Sequence, residues 1–453
     1  MRRSFSNNRL YSVVFYEHLK KLMQRGHSIE FFPEGGRSRS GKLMPPRPGI
    51  ISMILRSFLG MDEKQVSFVP ISINYEKVLE GNSYINEVMG AEKKKENLKD
   101  IFSVFRDFRN YLGEAYLQFG EPINLNALLK EYPLSDYSSE KDWLFKVTPV
   151  LGKKIMTTIN DSTVVTSTAL FSLAILNSDG FSISNRELVS RIELLKSLLV
   201  EDKYSAKTLI CEKTGEEIID QMRKLGFLSK EGINDRISLT NLEAAKLSFY
   251  RNNISHLLIF ESLICGFFQY QKEIVKEDLL QSIKMIYPFL KEEFFLKWDE
   301  ADLDQLINLK LNKLINKNLI LEDSNVYKRP DFKSKEFYET QSLGKLVQPS
   351  IDRFYVLISQ LWKNSAEHIS KNELERNSLE ILKNLEKTQA RLTPEFSEKW
   401  MFDVFLSRLI ENKYVREDDK GMLYPTRITQ RLEKDANKFL EPNWLKELSK
   451  STT

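Results

Sequence analysis

The sequence predicts an α/β domain over residues 1–160, followed by a mainly α-helical region over residues 161–453. Three observations support this division. At the start of the chain, an amphipathic helix pattern, a short apolar run and a Gly- and Arg-rich loop follow one another, which is a typical α/β order. After residue 160, long helical patterns with few glycines take over. Polar turns between short apolar runs recur in that second region and predict β-hairpins.

Each element of the first domain has its own sequence signal. The first helix is predicted because apolar residues recur at i, i+4, i+7 and i+8, and Gly26 can end it. Pro70 should interrupt the second strand, since proline lacks the N–H donor of a sheet ladder. The resulting bend could shape a pocket wall or be a purely structural bulge. The predicted elements are a helix at 11–25, a strand at 28–32, a helix at 49–59, strands at 66–75 and 115–119, and a helix at 143–159.

In the helical region, three segments share the order of an amphipathic helix, a short apolar strand, a polar turn and a return strand. They lie at 222–239, 311–328 and 406–425. Their hairpins are similar to the wing of a winged-helix module, and the three segments are interpreted as weak internal repeats. Because they are rich in Asp and Glu, which repel phosphate backbones, we expect no nucleic-acid partner.

The loop at residues 31–49, FFPEGGRSRSGKLMPPRPG, has the composition of a phosphate site. The adjacent glycines at 35 and 36 allow positive φ and a close approach to a ligand. Arg37 and Arg39 supply planar donor forks that match phosphate oxygens, and Lys42 adds a mobile point charge. A solvated basic turn is the alternative, but Glu34 stands behind a predicted strand, where binding residues of open α/β sheets tend to lie.

Charge and composition limit the possible partners. Residues 1–60 carry eleven Lys and Arg against three Glu, a local charge of +8, whereas the whole chain carries +4. This asymmetry favours an anionic small molecule, an acidic carrier protein or an anionic membrane surface. Two cysteines and four scattered histidines predict neither a disulfide framework nor a metal site. The longest apolar runs are shorter than the roughly 20 residues of a membrane-spanning helix, so any membrane contact is expected to be peripheral.

Four strings carry a resemblance to a known family: residues 31–49, 68–98, 250–257 and 347–356. Through them the chain resembles the bacterial PlsB-type glycerol-3-phosphate acyltransferases of the glycerolipid acyltransferase superfamily. The resemblance implies an α/β acyltransferase domain and transfer of a fatty acyl group from acyl carrier protein or coenzyme A to the 1-hydroxyl of sn-glycerol 3-phosphate, a step of phospholipid synthesis. It also implies peripheral contact with the cytoplasmic face of the inner membrane, and no cofactor beyond the acyl donor.

The resemblance extends to individual substrate-binding residues. The string EGGRSR matches the third motif of the family and implies that Glu34, Gly35, Arg37 and Arg39 contact glycerol 3-phosphate. The string VPISINYE matches the fourth motif, around Pro70. The tail of the second motif matches MRRSF at residues 1–5, which implies Arg3 as a further phosphate ligand.

The first family motif, HxxxxD, is not found. The residues five positions after the histidines are Met23, Phe32, Glu261 and Glu373, and none is an aspartate. In that motif the histidine acts as general base and the aspartate orients it. A stand-in by Glu261 with His256 is not expected, because this pair lies in an apolar helix far from the basic loop in sequence.

We therefore expect no catalytic residue in this chain, which would begin inside the second motif and be inactive alone. One alternative is a non-catalytic module that binds glycerol 3-phosphate or regulates a relative. The other is a decayed gene product, whose missing N-terminal elements would leave an apolar flank exposed.

Overall fold

The computed structural model describes residues 9–61, 65–78, 111–228, 235–363, 368–388, 394–436, 438 and 440. Arg3, one of the predicted substrate ligands, lies outside these residues. In the described part of the chain, helices dominate and the strands form only two- and three-stranded sheets. The predicted α/β beginning is therefore present with small sheets, and the predicted helical character of the second region is confirmed.

The first part of the chain contains the following elements in order: α1 (Arg9–Gln24), α2 (Pro48–Leu59), β1 (Ser67–Phe68), β2 (Ile71–Tyr75), β3 (Ala115–Phe119), β4 (Ile123–Asn124), α3 (Leu125–Glu131) and α4 (Glu140–Asp161). The predicted helices at 11–25, 49–59 and 143–159 are confirmed as α1, α2 and α4. The predicted strand at 28–32 is wrong, because these residues pair with no neighbouring strand among those described.

The predicted interruption at Pro70 is confirmed. β1 ends before this proline and pairs with β4, whereas β2 begins after it and pairs with β3. The Pro70 carbonyl accepts a hydrogen bond from the Gly120 N–H (2.8 Å). The bend at Pro70 therefore divides one apolar segment of the sequence between two small sheets.

The helical region contains β5 (Val164–Val165), α5 (Ser167–Leu176), β6 (Ser182–Ser184), α6 (Asn185–Glu201), β7 (Leu209–Ile210), α7 (Gly215–Lys224), β8 (Arg236–Ser238), α8 (Asn241–Ile254), α9 (Ile259–Phe267), β9 (Glu273–Val275), α10 (Lys276–Phe294), α11 (Leu303–Asn316), β10 (Leu321–Asp323), β11 (Val326–Lys328), α12 (Lys335–Gly344), α13 (Gln348–Lys363), β12 (Ile369–Ser370), α14 (Lys371–Thr388), α15 (Lys399–Glu411), β13 (Val415–Glu417), β14 (Met422–Pro425) and α16 (Arg427–Ala436). Local sequence explains several helix starts, since α6, α7 and α8 each begin with a capping box of Ser or Thr and a Glu three residues later.

Two of the three predicted hairpins are found. β10 pairs with β11 and β13 with β14, each following a helix as predicted, and each return strand also pairs with a short strand that precedes another helix. In the first predicted segment, residues 229–234 lie outside the described residues. Its final strand, β8, pairs with β6.

The buried apolar residues form two clusters. The smaller one joins α1, α2 and α4 with β1 and β4, and its most buried large side chain is Trp143. The larger cluster runs through the helical region from Val165 to Leu440. The basic loop at residues 31–47 leads from α1 to α2, so it starts and ends on the smaller cluster.

Candidate functional site

The basic loop is closed at its base by contacts between its two ends. The Arg47 N–H donates to the Pro33 carbonyl (2.8 Å), and Arg47 Nε donates to the Glu34 carbonyl (3.3 Å). Gly35 has a φ of 66°, and a Cβ there would lie 2.5 Å from Arg47 Cδ. The left-handed backbone angle therefore favours glycine at position 35, and any Cβ there would displace the side chain of Arg47. The motif residue Gly35 shapes the loop.

Glu34 holds the far side of the same loop. Its Oε2 accepts a hydrogen bond from the Met44 N–H (2.9 Å). Burial raises the pKa of Glu34 to about 7, the Met44 hydrogen bond opposes that change, and the charge of Glu398 adds to it. A carboxyl group that titrates near neutral pH therefore lies inside the predicted binding loop.

Arg37 and Arg39 lie on the outer turn of the loop, and both are exposed. Between them, Ser38 Oγ accepts a hydrogen bond from the Gly41 N–H (3.0 Å), which tightens the turn. The structure thus brings four predicted residues, Glu34, Gly35, Arg37 and Arg39, into one loop, with both arginines at exposed positions. Such a pair of accessible, permanently charged forks is suited to a phosphate group.

Pro70 is buried outside this loop, in the neighbouring bend between β1 and β2. Phe31, the first residue of the loop, packs edge-on against Phe68, two residues before the proline, with ring centroids 6.0 Å apart. Phe68 therefore links the start of the loop to the chain segment in which Pro70 forms the bend.

Lys42 differs from its prediction as a mobile point charge. It is buried and forms an ion pair with Glu293 at the end of α10, with its Nζ 3.4 Å from Ser350 Oγ and 4.4 Å from the centre of the Phe294 ring. Glu293 also accepts from Arg353 Nη1 on α13 (3.1 Å). Although burial raises the pKa of Glu293, the charges of Lys42 and Arg353 bring it down to about 2. Lys42 therefore anchors the loop to the helical region.

The two residues before Lys42 dock on α8. Asn252 Nδ2 donates to the Ser40 carbonyl (2.7 Å), and Asn253 Nδ2 donates to the Gly41 carbonyl (2.8 Å). Gly41 has a φ of 82°, and a Cβ there would lie 2.1 Å from the Phe249 carbonyl oxygen. No other residue type could approach α8 so closely.

The anchoring residues belong mostly to strings that carried the family resemblance. Asn252 and Asn253 lie in the string 250–257, and Ser350 and Arg353 in the string 347–356. The family resemblance therefore included these four residues but did not indicate that they anchor the loop. Glu293 belongs to neither string, and no sequence signal singled it out.

The string VPISINYE forms a second junction with the helical region. Ser72, Asn74 and Glu76 are buried, so the polar face of β2 points inward. Asn74 Oδ1 accepts from the Val164 N–H (3.1 Å). Glu76 accepts from the Ser167 N–H (3.2 Å) and the Thr168 hydroxyl (2.9 Å) at the start of α5. The fourth motif thus caps a helix of the second region.

His256 and Glu261 form no pair. His256 is buried, with its Nε2 3.3 Å from the Asn160 carbonyl and 3.4 Å from Thr163 Oγ1. Burial lowers the pKa of His256 to about 4. Glu261 forms ion pairs with Lys310 (3.1 Å) and Lys313 (2.6 Å). The expectation that Glu261 does not replace the motif aspartate is consistent with this geometry.

Two kinds of site are absent from the part of the chain that the structure describes. No group of His, Cys, Asp and Glu there could hold a metal ion. Within the same residues, no helix is both long enough and apolar enough to cross a bilayer.

Two family profiles match the chain. The profile described as the glycerol-3-phosphate acyltransferase C-terminal region matches residues 84–418, and the profile described as acyltransferase matches residues 1–74. The acyltransferase match ends at residue 74, within β2, and the C-terminal match begins at residue 84. The contacts of the basic loop with α8, α10 and α13, and the contact of Asn74 with Val164, therefore join residues of one profile to residues of the other. Glu76 lies between the two matched ranges.

Curated relatives are similar over nearly the whole chain. A glycerol-3-phosphate acyltransferase of Pseudomonas paraeruginosa (strain DSM 24068 / PA7) is 32% identical over 451 residues, which cover 98% of this chain and 54% of the relative. A glycerol-3-phosphate acyltransferase of Pseudomonas putida (strain GB-1) is 32% identical over 431 residues, which cover 93% of this chain and 52% of the relative. The chain thus spans about half the length of the curated relatives it matches.

Proposed function

The chain belongs to the glycerol-3-phosphate acyltransferase family, and we propose that its basic loop forms the glycerol-3-phosphate side of an acyl-transfer site. In this site Arg37 and Arg39 bind the phosphate, while Gly35 and Glu34 shape the loop around it. Pro70 fixes the adjacent chain direction, and Arg3 is a further proposed phosphate ligand that lies outside the described residues. The proposed product is a 1-acyl glycerol 3-phosphate, an early intermediate of phospholipid synthesis.

The proposed reaction needs no cofactor beyond the acyl donor. The 1-hydroxyl oxygen attacks the carbonyl carbon of a fatty acyl thioester, so a C–O ester bond forms and the C–S bond breaks. The proton of the hydroxyl group is transferred to the leaving sulfur, and acyl carrier protein or coenzyme A is released as the thiol. This step requires a general base near the hydroxyl. The residues proposed here bind and orient the phosphate end of the acceptor.

The single observation that carries this proposal is the geometry of the loop. Contacts of Arg47 and Glu34 close its base, whereas Arg37 and Arg39 remain exposed on its outer turn. A solvated turn, the alternative interpretation, would not require glycine at two tight positions or several buried anchors. Because the closed loop already holds the backbone that carries the two arginines, less backbone entropy is lost when they bind a phosphate.

Calorimetry with glycerol 3-phosphate and the full chain tests the proposal. Arg37→Ala and Arg39→Ala should each weaken binding about tenfold or more, since each removes a charge-assisted contact of about 1.5–3 kcal/mol. Arg416→Ala is a matched control, because Arg416 is an exposed arginine on a hairpin of the helical region. Absence of binding by the unmutated chain, or equal effects of the three substitutions, would refute the proposal.

We further propose that the chain alone binds glycerol 3-phosphate without turning it over. Support comes from its histidines: none is followed by an aspartate at the fifth position, and His256 is buried in contact with backbone and Thr163. Loss of general acid–base catalysis alone costs about 10²–10⁴-fold in rate. An acyl-transfer assay with acyl carrier protein thioester separates the two functions, and rapid turnover would contradict the binding-only proposal.

For the location of the protein, we propose peripheral contact with the cytoplasmic face of the inner membrane. The local charge of +8 in residues 1–60 supports attraction to anionic phospholipids. Co-sedimentation with vesicles that contain anionic phospholipid, compared with neutral vesicles, tests this contact. No nucleic acid is proposed as a partner.

For the architecture, we propose a division at residue 160 and three winged-helix-like units in the helical region. The separation of the two apolar clusters between Ile155 and Val165 supports the division. The repeated order of a helix, a short strand, two helices and a hairpin supports the units. It recurs as α9, β9, α10, α11, β10 and β11, and again as α13, β12, α14, α15, β13 and β14.

A further inference from the structure

The contacts of the basic loop fall into two sets that differ in their partners. Those of Glu34 and Arg47 stay within the loop and close its base. The carbonyl groups of Ser40 and Gly41 and the side chain of Lys42 instead reach the helical region, on α8, α10 and α13. Arg37 and Arg39 lie between the two sets, so both sets together determine where the two guanidinium groups stand.

The second set is built from buried, charge-assisted contacts. Lys42, Arg353 and Glu293 are 5%, 0% and 1% exposed, and Ser350 Oγ donates a further hydrogen bond to the Glu293 carboxylate (2.8 Å). Beside them, Arg251 and Glu395 form a second buried ion pair, and Asn252 joins the two groups because it donates to both Glu395 (2.9 Å) and the Ser40 carbonyl. Charged groups that are buried and paired hold one geometry strongly, since separating them exposes an uncompensated charge.

We propose that Lys42 and Gly41 are positioning residues, which fasten the basic loop to the helical region and thereby set the spacing at which Arg37 and Arg39 meet a phosphate. This inference rests on the proposed function of the loop. It gives Lys42, a cation of the basic loop, an anchoring role in the protein interior and no direct contact with the ligand. It also makes the helical region part of the binding site, through α8, α10 and α13.

Two chemically different substitutions test this role. Lys42→Met removes the charge and keeps an unbranched side chain, and Glu293 stays neutralised by Arg353. Gly41→Ala removes no charge, but its Cβ would meet the Phe249 carbonyl and push the loop off α8. Gly49→Ala is the matched control, since a Cβ there meets nothing within 4 Å and the residue lies in the first turn of α2.

Three measurements are made on each variant of the full chain. Calorimetry at several salt concentrations gives the affinity for glycerol 3-phosphate and its salt dependence. Hydrogen exchange of the peptide 33–47 reports the order of the loop without any ligand, and thermal melting reports the fold. Arg37→Ala, which removes a proposed direct ligand of the phosphate, is included for comparison.

We expect Lys42→Met and Gly41→Ala to weaken binding at least tenfold and to speed exchange in 33–47 at least tenfold, with Gly49→Ala unchanged in both. Arg37→Ala should reduce the salt dependence of binding, because it removes a cation that faces the ligand. Lys42→Met should leave that salt dependence unchanged. If Lys42→Met does not fold, Gly41→Ala gives the same test.

The inference is overturned if both variants melt normally and bind within twofold of the unmutated chain. It is equally overturned if Lys42→Met reduces the salt dependence as Arg37→Ala does, since Lys42 would then be a ligand. If the unmutated chain does not bind glycerol 3-phosphate, the proposed function fails. In that case hydrogen exchange of the peptide 33–47 tests the anchoring role by itself. Unchanged exchange in both Lys42→Met and Gly41→Ala refutes that role.

Discussion

Glu34 has a pKa of about 7 in the folded chain because it is partly buried, and the one backbone donor found for it among the described residues, the Met44 N–H, offsets only part of the loss of water. In an unfolded chain the pKa of a glutamate is about 4.3. The folded state therefore binds the extra proton between these two values, and this group reduces stability as pH rises through that window. Above pH 7 the reduction is complete, and below pH 4 it is absent.

Glu34→Gln should remove this pH dependence. Glutamine keeps an oxygen that can accept from the Met44 N–H, and it has no charge to bury. We expect the variant to be more stable than the parent at pH 8 by about 1–2 kcal/mol, after allowance for partial solvent exposure, and equal to it near pH 4. Denaturant unfolding at several pH values measures the difference. Glu30→Gln, at an exposed site nearby, is the control, and a pH profile unchanged by Glu34→Gln would contradict this account.

Individual residues were predictable from sequence where their chemistry is local. Gly35, Arg37 and Arg39 stand in one short string, and a glycine that allows positive φ followed by exposed cations is visible without a structure. Lys42 was misassigned because its partner, Glu293, is 251 positions away. Nothing in the local string distinguishes a buried cation from a solvated one.

At the level of elements, contacts between residues that are distant in sequence explain where the predicted strands differ from the structure. The apolar run before the basic loop has strand composition, but a strand forms only when a neighbour supplies hydrogen bonds, and none does so among the described residues. β2 was predicted correctly. Its polar side chains are buried and its isoleucines are exposed, however, which is the opposite of an ordinary strand with one buried face. Its polar residues point inward because they hydrogen-bond to the helical region, a contact that alternation alone does not indicate.

Glu76, immediately after β2, links that strand to α5. Glu76→Ala should lower the free energy of unfolding by about 1–3 kcal/mol, because it leaves the buried Ser167 N–H without its acceptor and removes a carboxylate from a helix N-terminus. Glu76→Gln keeps an acceptor and should have an intermediate effect. Denaturant unfolding gives both values. The exposed Glu121 provides the control substitution Glu121→Ala, and an equal, small effect at both sites would show that Glu76 does not support α5.

On the scale of the whole molecule, the two profile-matched parts are joined by polar and charged contacts at the basic loop and at β2. This arrangement leaves the opposite face of β2 and β3 to apolar side chains. Ile71 lies opposite Phe119 and Ile73 opposite Leu117, and all four are exposed, by 38%, 55%, 40% and 56%. Within the described residues, this two-stranded sheet therefore presents an exposed apolar face.

A contiguous apolar face of this kind should bind hydrophobic dyes and limit solubility. The double variant Ile73→Thr with Leu117→Thr places two polar side chains at a directly opposed pair on the face, and threonine preserves strand propensity. We expect dye fluorescence to fall by about half and soluble yield to rise, while the melting temperature changes little, since both side chains are already exposed. A second double variant, Ile183→Thr with Ile237→Thr, is the matched comparison on another opposed pair, where Ile183 is buried and the loss of apolar contact should lower the melting temperature. If the first variant melts as early as the second, its residues are covered in solution and the face is not free.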